Sequence, residues 1–333
     1  MIVKSNENTR RQVLASLAVF GALAGTRFAL GQTSEKAQII RASTFKGQTY
    51  FISSYFMSRV APPGVKIELV EVSTSIDALD ALMTGNTDAA FIGLIPCILA
   101  QAAGRPINIV ASCGAKGARI VARANSNIFT IKDLAGKNVG VSKTTNHDII
   151  LRELLFQAGM DPIKDINTIL LPTNAHIEAL ASNTVDAVAT GEPYGSYLIV
   201  SGLGRDIAPD LYNTPVGKVG VVLALSRKTV KEKPAIAQQI VTLHGKATVF
   251  ARKHPEVQLH ELMQISRQKE DVMKLSMTNA ELQYDIDDDY KKRAAGVMNE
   301  LIKAKYLSAP TDLNKLFALQ FLAQAKAEAG AVY

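Results

Sequence analysis

Residues 140–148 read GVSKTTNHD, a turn with three hydroxyls and a lysine between a short apolar run and a helix-like one. A helix start needs one capping oxygen, so Ser142, Thr144 and Thr145 supply more than the local geometry demands. The first N–H groups of a helix lack intrahelical acceptors and carry partial positive charge, which attracts anions. Lys143 adds a full positive charge, and Asn146 or Thr145 is the expected cap. The expected occupant is an acidic group such as sulfonate, carboxylate or nitrate.

Three other strand-to-helix turns are expected to face the same space. In STFKGQTY (43–50), Thr44 and Gln48 are polar candidates and Gly47 lets the backbone approach a ligand. Phe45 and Tyr50 are read there either as an apolar wall or as core. Gly93 and Leu94 open an apolar turn suited to a pocket floor, offering backbone N–H groups. In TGEPY (190–194), Glu192 beside Tyr194 suits a ligand amine, or serves only as a first-turn acid favoured by the helix dipole.

Other chemistry finds less support. GVSKT lacks the closing glycine of a G-x-S-x-G nucleophile elbow, and no G-x-x-x-x-G-K phosphate loop is present. The five histidines show no i, i+4 pair with an acid at metal spacing. Asp285, Asp287 and Asp289 imitate a calcium loop, but Tyr290 stands where glycine is needed and Gly296 where the closing glutamate should be. No metal and no cofactor are expected. Cys97 and Cys113, the only cysteines, are read as two buried thiols or a disulfide, a choice the spacing leaves open.

The elements that must position these turns alternate short apolar runs with longer amphipathic ones from Gln38 onward, the pattern of βα units. Gly114-Ala115-Lys116-Gly117 is where the chain is expected to cross to a second lobe, and VGKVGVVLALS (216–226) where it returns. After Arg227 everything reads as helix packed on the first lobe. IDALDALMTGNTDAAFIG (76–93) echoes HIEALASNTVDAVATGEP (176–193), which suggests two lobes on one plan. Such lobes bind ligands beyond the carboxyl ends of their strands. The expected organisation is a first lobe from 32–114 and 217–333 and a second from 115–216.

Residues 1–31 stand apart, with Lys4, Arg10 and Arg11 ahead of VLASLAVFGALA, and read as a signal peptide. TRRQVL resembles a twin-arginine export signal, with an ordinary basic leader as the alternative. This stretch carries four basic residues and one acid, three of the seven net positive charges. The remainder is too weakly basic for nucleic acid, and no basic stripe interleaves with aromatics. The protein is expected to be periplasmic, monomeric and not a lipoprotein, because no cysteine opens the mature chain.

GNTDAAFIG (85–93), IKDLAGKNVGVSKTTNHDIILRELLFQAGMD (131–161) and NTVDAVATGEPYGSYL (183–198) together resemble the periplasmic solute-binding proteins of ABC importers, in the nitrate/sulfonate/taurine group. The resemblance implies an α/β, two-lobed fold of type II, each lobe a mostly parallel sheet flanked by helices, with two chain crossings. It also implies a small-molecule ligand clamped by hinge motion near 114–117 and 214–220, and an inner-membrane permease as partner. Many relatives carry Trp-Glu-Pro or Trp-Asp-Pro where this chain has Gly191-Glu192-Pro193, so a roomier or differently shaped pocket is expected. An aliphatic sulfonate or taurine-like zwitterion fits Lys143, Thr144 and Thr145 at one end and Glu192 at the other. A thiamine pyrimidine precursor is the alternative ligand, and an enzyme on the same fold the alternative class.

Overall fold

The structure, a computed structural model, describes residues 37–214, 216–218 and 220–331. The expected leader over 1–31 therefore lies outside the described residues. Among the described residues, eleven strands and twelve α-helices follow in the order the apolar periodicity suggests. First come β1 (Gln38–Phe45), α1 (Ile52–Val60), β2 (Val65–Val72), α2 (Ser75–Thr84), β3 (Ala89–Gly93), α3 (Leu94–Ala102) and β4 (Ile107–Lys116). Then come β5 (Ala118–Arg123), β6 (Asn138–Val141), α4 (Asn146–Gln157), β7 (Asn167–Leu170), α5 (His176–Ala181), β8 (Ala187–Gly191), α6 (Tyr194–Val200) and β9 (Gly204–Asp206). The chain ends with β10 (Val221–Ser226), α7 (Arg227–Glu232), α8 (Pro234–Lys253), α9 (Pro255–Ser266), α10 (Glu270–Asn279), β11 (Ala280–Leu282), α11 (Asp288–Lys303) and α12 (Leu322–Ala331).

Local sequence explains where these elements begin and stop. At α2 the Thr74 hydroxyl accepts from the Asp77 N–H while the Asp77 carboxylate accepts from Thr74 N–H, and Gly85 ends the helix at φ 77°; this is a reciprocal cap followed by the residue best suited to a left-handed stop. Helices α8 and α9 each start on a proline, whose missing N–H costs nothing in a first turn.

The strands form two sheets, ordered β11-β4-β10-β3-β1-β2 and β7-β6-β8-β5-β9. In the first, β1 to β4 share a direction and β10 and β11 run against them. In the second, only β5 runs against the rest. The reversals have a topological cause. The chain passes between sheets after β4 and again after β9, so β5 and β10 each enter from the end where the other strands finish. This is the two-lobed, twice-crossed α/β fold that the motifs imply.

Two details differ from the sequence reading. The region after Arg227 is not wholly helical, since β11 adds an antiparallel edge strand to β4. Nor do the C-terminal helices rest on the first sheet alone. Helix α8 packs on α1 and α12, but α10 lies against α6 and α11 against α4, both from the second sheet's half of the chain. Side chains make that bridge, and Tyr306 Oη donates to Asp148 at 2.9 Å. No helix among the described residues is long and apolar enough to cross a membrane.

Candidate functional site

Strand direction places the site. The carboxyl ends of β1, β2, β3, β4, β6 and β7 and the first residues of β5 and β10 all border one cavity of about 920 Å³. That volume lies in the upper part of the range typical of small-molecule sites.

At the end of β1, Phe45 stacks on Phe51 with ring centroids 5.2 Å apart, and Tyr50 meets Phe51 edge-on at 5.1 Å. All three line the cavity, as does Gln48. Thr44 does not: it is fully buried, with its hydroxyl 2.9 Å from Ser54 Oγ on α1. Strand alternation is the reason, because neighbours of Phe45 point to the opposite face. Gly47 has φ 70°, and a Cβ there would lie 3.0 Å from Ser266 Cα. Glycine thus lets the end of α9 close over this turn, bringing Arg267 and Gln268 to the rim.

Gly93 lines the cavity at the foot of α3, and so does Pro96. Leu94, expected at the pocket floor, does not line it: its side chain is fully buried and its N–H donates to Gly220 O at 3.1 Å.

The opening of α4 is more structural than the hydroxyl count suggests. Thr145 is the cap: its hydroxyl donates to Ser142 O at 2.6 Å and accepts the Asp148 N–H at 3.4 Å. Ser142 donates to Leu171 O at 2.8 Å, and Thr144, at φ 60°, donates to Lys143 O at 2.6 Å. The Thr144 N–H is taken by the buried Asp148 carboxylate, which also accepts from Arg152 and Tyr306. What remains for a ligand are the N–H groups of Thr145, Asn146 and His147, which have no acceptor among the described residues, and the Lys143 ammonium, 5.3 Å from the Tyr306 ring centre. Ser142, Lys143, Thr144, Thr145, Asn146 and His147 all border the cavity.

His147, one of the five histidines without metal spacing, also borders the cavity. It is 7% exposed, and its Nε2 has no partner among the described residues. Burial first, and the neighbouring His176 second, hold its pKa down to about 3, so the ring is neutral at ordinary pH.

Tyr194 lines the cavity but Glu192 does not. Its carboxylate is wholly buried, accepting from Arg119 Nε at 2.6 Å, Asn279 Nδ2 at 2.8 Å and the Ser196 N–H at 3.1 Å. An acid that buried is stable only when paired, and the pairing removes it from any ligand. Gly191 does not leave an open space either. A Cβ there would lie 2.8 Å from Tyr50 Oη and 3.3 Å from His147 Cε1, so a phenol from the first sheet fills the position. The same ring rests on Gly117 at the first crossing, where a Cβ would lie 2.5 Å from Tyr50 Cδ1.

The charge balance of the lining is one-sided. Lys46, Lys116, Lys143 and Arg267 border the cavity, and no aspartate or glutamate does so among the described residues. Lys46 and Lys116 have outward partners, Glu71 and Glu281, each at 3.1 Å. Lys143 and Arg267, from opposite sides, have no carboxylate within salt-bridge distance among the described residues. Sequence reading missed Lys46, Lys116 and Arg267, because isolated basic residues in turns carry no pattern. Cys97 and Cys113 are free thiols, both buried and away from the cavity. Among the described residues no group of three His, Cys, Asp or Glu side chains could hold a metal ion.

Two sheets joined by two crossings, with the strand ends facing a shared cleft, define a two-lobed binding-protein fold. The chain belongs to the NMT1-like family, whose model matches residues 27–264. An Escherichia coli (strain K12) protein named for binding aliphatic sulfonates is 29% identical over 248 residues, covering 73% of this chain and 76% of that one. The crystal structure of the periplasmic aliphatic sulphonate binding protein SsuA from Escherichia coli is similar in fold, with a TM-score of 0.72 and 22% identity over 84% of this chain and 97% of that one. The desulfurization enzyme DSZB shares the fold at a TM-score of 0.66 and 17% identity, over 87% of this chain and 99% of that one.

Proposed function

We propose that this chain is the solute-binding component of an ABC importer, working in the periplasm and handing a small organic anion to an inner-membrane permease. The observation that carries the reading is the lining itself: among the described residues, four cations, no acid, and uncommitted N–H groups at the start of α4. Low-dielectric walls strengthen such a field. The sulfonate-binding names of the relatives support the same class of solute. A zwitterion of the taurine kind loses its proposed amine partner, because Glu192 is spent on Arg119. Closure about the two crossings would bring Lys143 and Arg267 to one solute.

An enzyme on this fold is the competing reading, and the thiols speak against a cysteine nucleophile. Burial pushes Cys113 up to about 12, partly offset by Ser53, and raises Cys97 as well; a nucleophilic cysteine needs the opposite shift. The test is a thermal-shift series on the mature protein with sulfonates, carboxylates, nitrate and taurine. Anionic solutes should raise the melting temperature by mass action, and Lys143→Ala should weaken their binding about threefold to tenfold, more so at low salt. Uncharged pyrimidines run in the same series are the control, and a response to these alone would overturn the proposal.

A further inference from the structure

We propose that the solute is an aryl acid, its flat ring held against the Phe45–Phe51–Tyr50 wall and its acidic group directed to Lys143 and the start of α4. This rests on the anion-binding reading above and narrows it. The wall is assembled within seven residues of one turn. Phe51 and Tyr50 are 2% and 8% exposed and therefore fixed in place, while Phe45, stacked on Phe51 at an interplanar angle of 21°, is only partly buried and leaves ring surface toward the cavity.

From the second sheet's half, Pro193 and the aromatic ring of Tyr194 also line the cavity. Aromatic rings stack with an offset or meet edge to face, gaining about 0.5–1.5 kcal/mol beyond the area they bury. A two-carbon alkyl sulfonate would carry the same anion but has no ring to set against these side chains. Tyr50 holds its place because Gly117 and Gly191 lack side chains; a bulky residue at 191 would push the phenol away and break the wall. The absence of tryptophan also gives the proposal a direct readout, because naphthalene emission can be followed against tyrosine alone.

The experiment titrates the purified mature chain with naphthalene-2-sulfonate, ethanesulfonate and uncharged 2-naphthamide, following naphthalene fluorescence and, for the alkyl compound, competition. Naphthalene-2-sulfonate is expected to bind about tenfold more tightly than ethanesulfonate. Phe45→Leu, which keeps apolar volume but removes the ring, is expected to shrink that ratio about fivefold. Equal binding of the aryl and alkyl sulfonates, or an unchanged ratio in Phe45→Leu, overturns the aryl proposal and leaves the anion reading standing. If 2-naphthamide binds as tightly as the sulfonate, the anion reading falls. If none of the three binds, both fall.

Discussion

Replacing Glu192 with glutamine tests whether this carboxylate serves the fold or the ligand. Oε1 accepts from Arg119 and Asn279, and Oε2 accepts from the Ser196 N–H. A glutamine that keeps its carbonyl toward Arg119 must present its NH2 to Ser196 N–H, placing donor against donor. Leaving a buried backbone N–H unpaired costs about 1–3 kcal/mol. Arg119 also loses its closest anion and keeps only Asp206, at 2.8 Å; losing a charge-assisted bond costs about 1.5–3 kcal/mol. Together these give about 2.5–6 kcal/mol, a range that contains the cost of breaking a buried pair from one side. At roughly 2 °C per kcal/mol for a chain of this length, the melting temperature should drop by about 5–12 °C. Calorimetry on Glu192→Gln measures that drop, and titration at a temperature where the variant is folded should give a ligand affinity close to that of the parent. A melting temperature within about 2 °C of the parent, combined with a tenfold loss of affinity, would refute the reasoning and return Glu192 to the ligand.

Other consequences follow from burial. His147, His176 and His244 are held near 3, 4 and 4 by desolvation, with His176 adding to the effect on His147, whereas an unfolded histidine titrates near 6.5. Below about pH 6.5 the unfolded chain binds the extra protons, so stability is full above that pH and falls toward pH 4 by about 1.4 kcal/mol per unit for each group. Guanidinium midpoints at pH 7.5 and 5 check this, and equal midpoints would contradict it. With both thiols buried and raised by desolvation, Ellman's reagent at pH 8 should label neither Cys97 nor Cys113 in the native protein and both after denaturation; fast native labelling would place one of them at the surface.

The fold was legible because each βα unit wrote its own periodicity, and because GNTDAAFIG and NTVDAVATGEP repeat one plan. The placement of turns at strand ends followed from that, and it located Phe45, Gln48, Gly93, Tyr194 and the opening of α4. Side-chain direction was not legible from the same pattern. Thr44 and Leu94 sit at the right turns but face inward, which depends on pleat and on the packing of α1 and α3. Of the two readings of Glu192, the helix-start acid holds, its carboxylate accepting the Ser196 N–H. The ligand reading fails because its partner Arg119 lies 73 residues earlier on a neighbouring strand, a pairing that only the sheet order creates. Arg267 reaches the rim because Gly47 admits the end of α9, a contact between segments far apart in the chain.

The polar cluster around the first crossing bears on how this molecule may be cut. Glu192 belongs to the second sheet's half, yet it accepts from Asn279 at the end of α10, while its N–H donates to Gly117 O at the junction. Tyr212 Oη, on the return path, sits 2.8–2.9 Å from Ala118 and Asn279. A truncated piece carrying only the second sheet would strand a dehydrated carboxylate short of one donor, so the two halves are expected to be inseparable as recombinant fragments even though each has a sheet of its own.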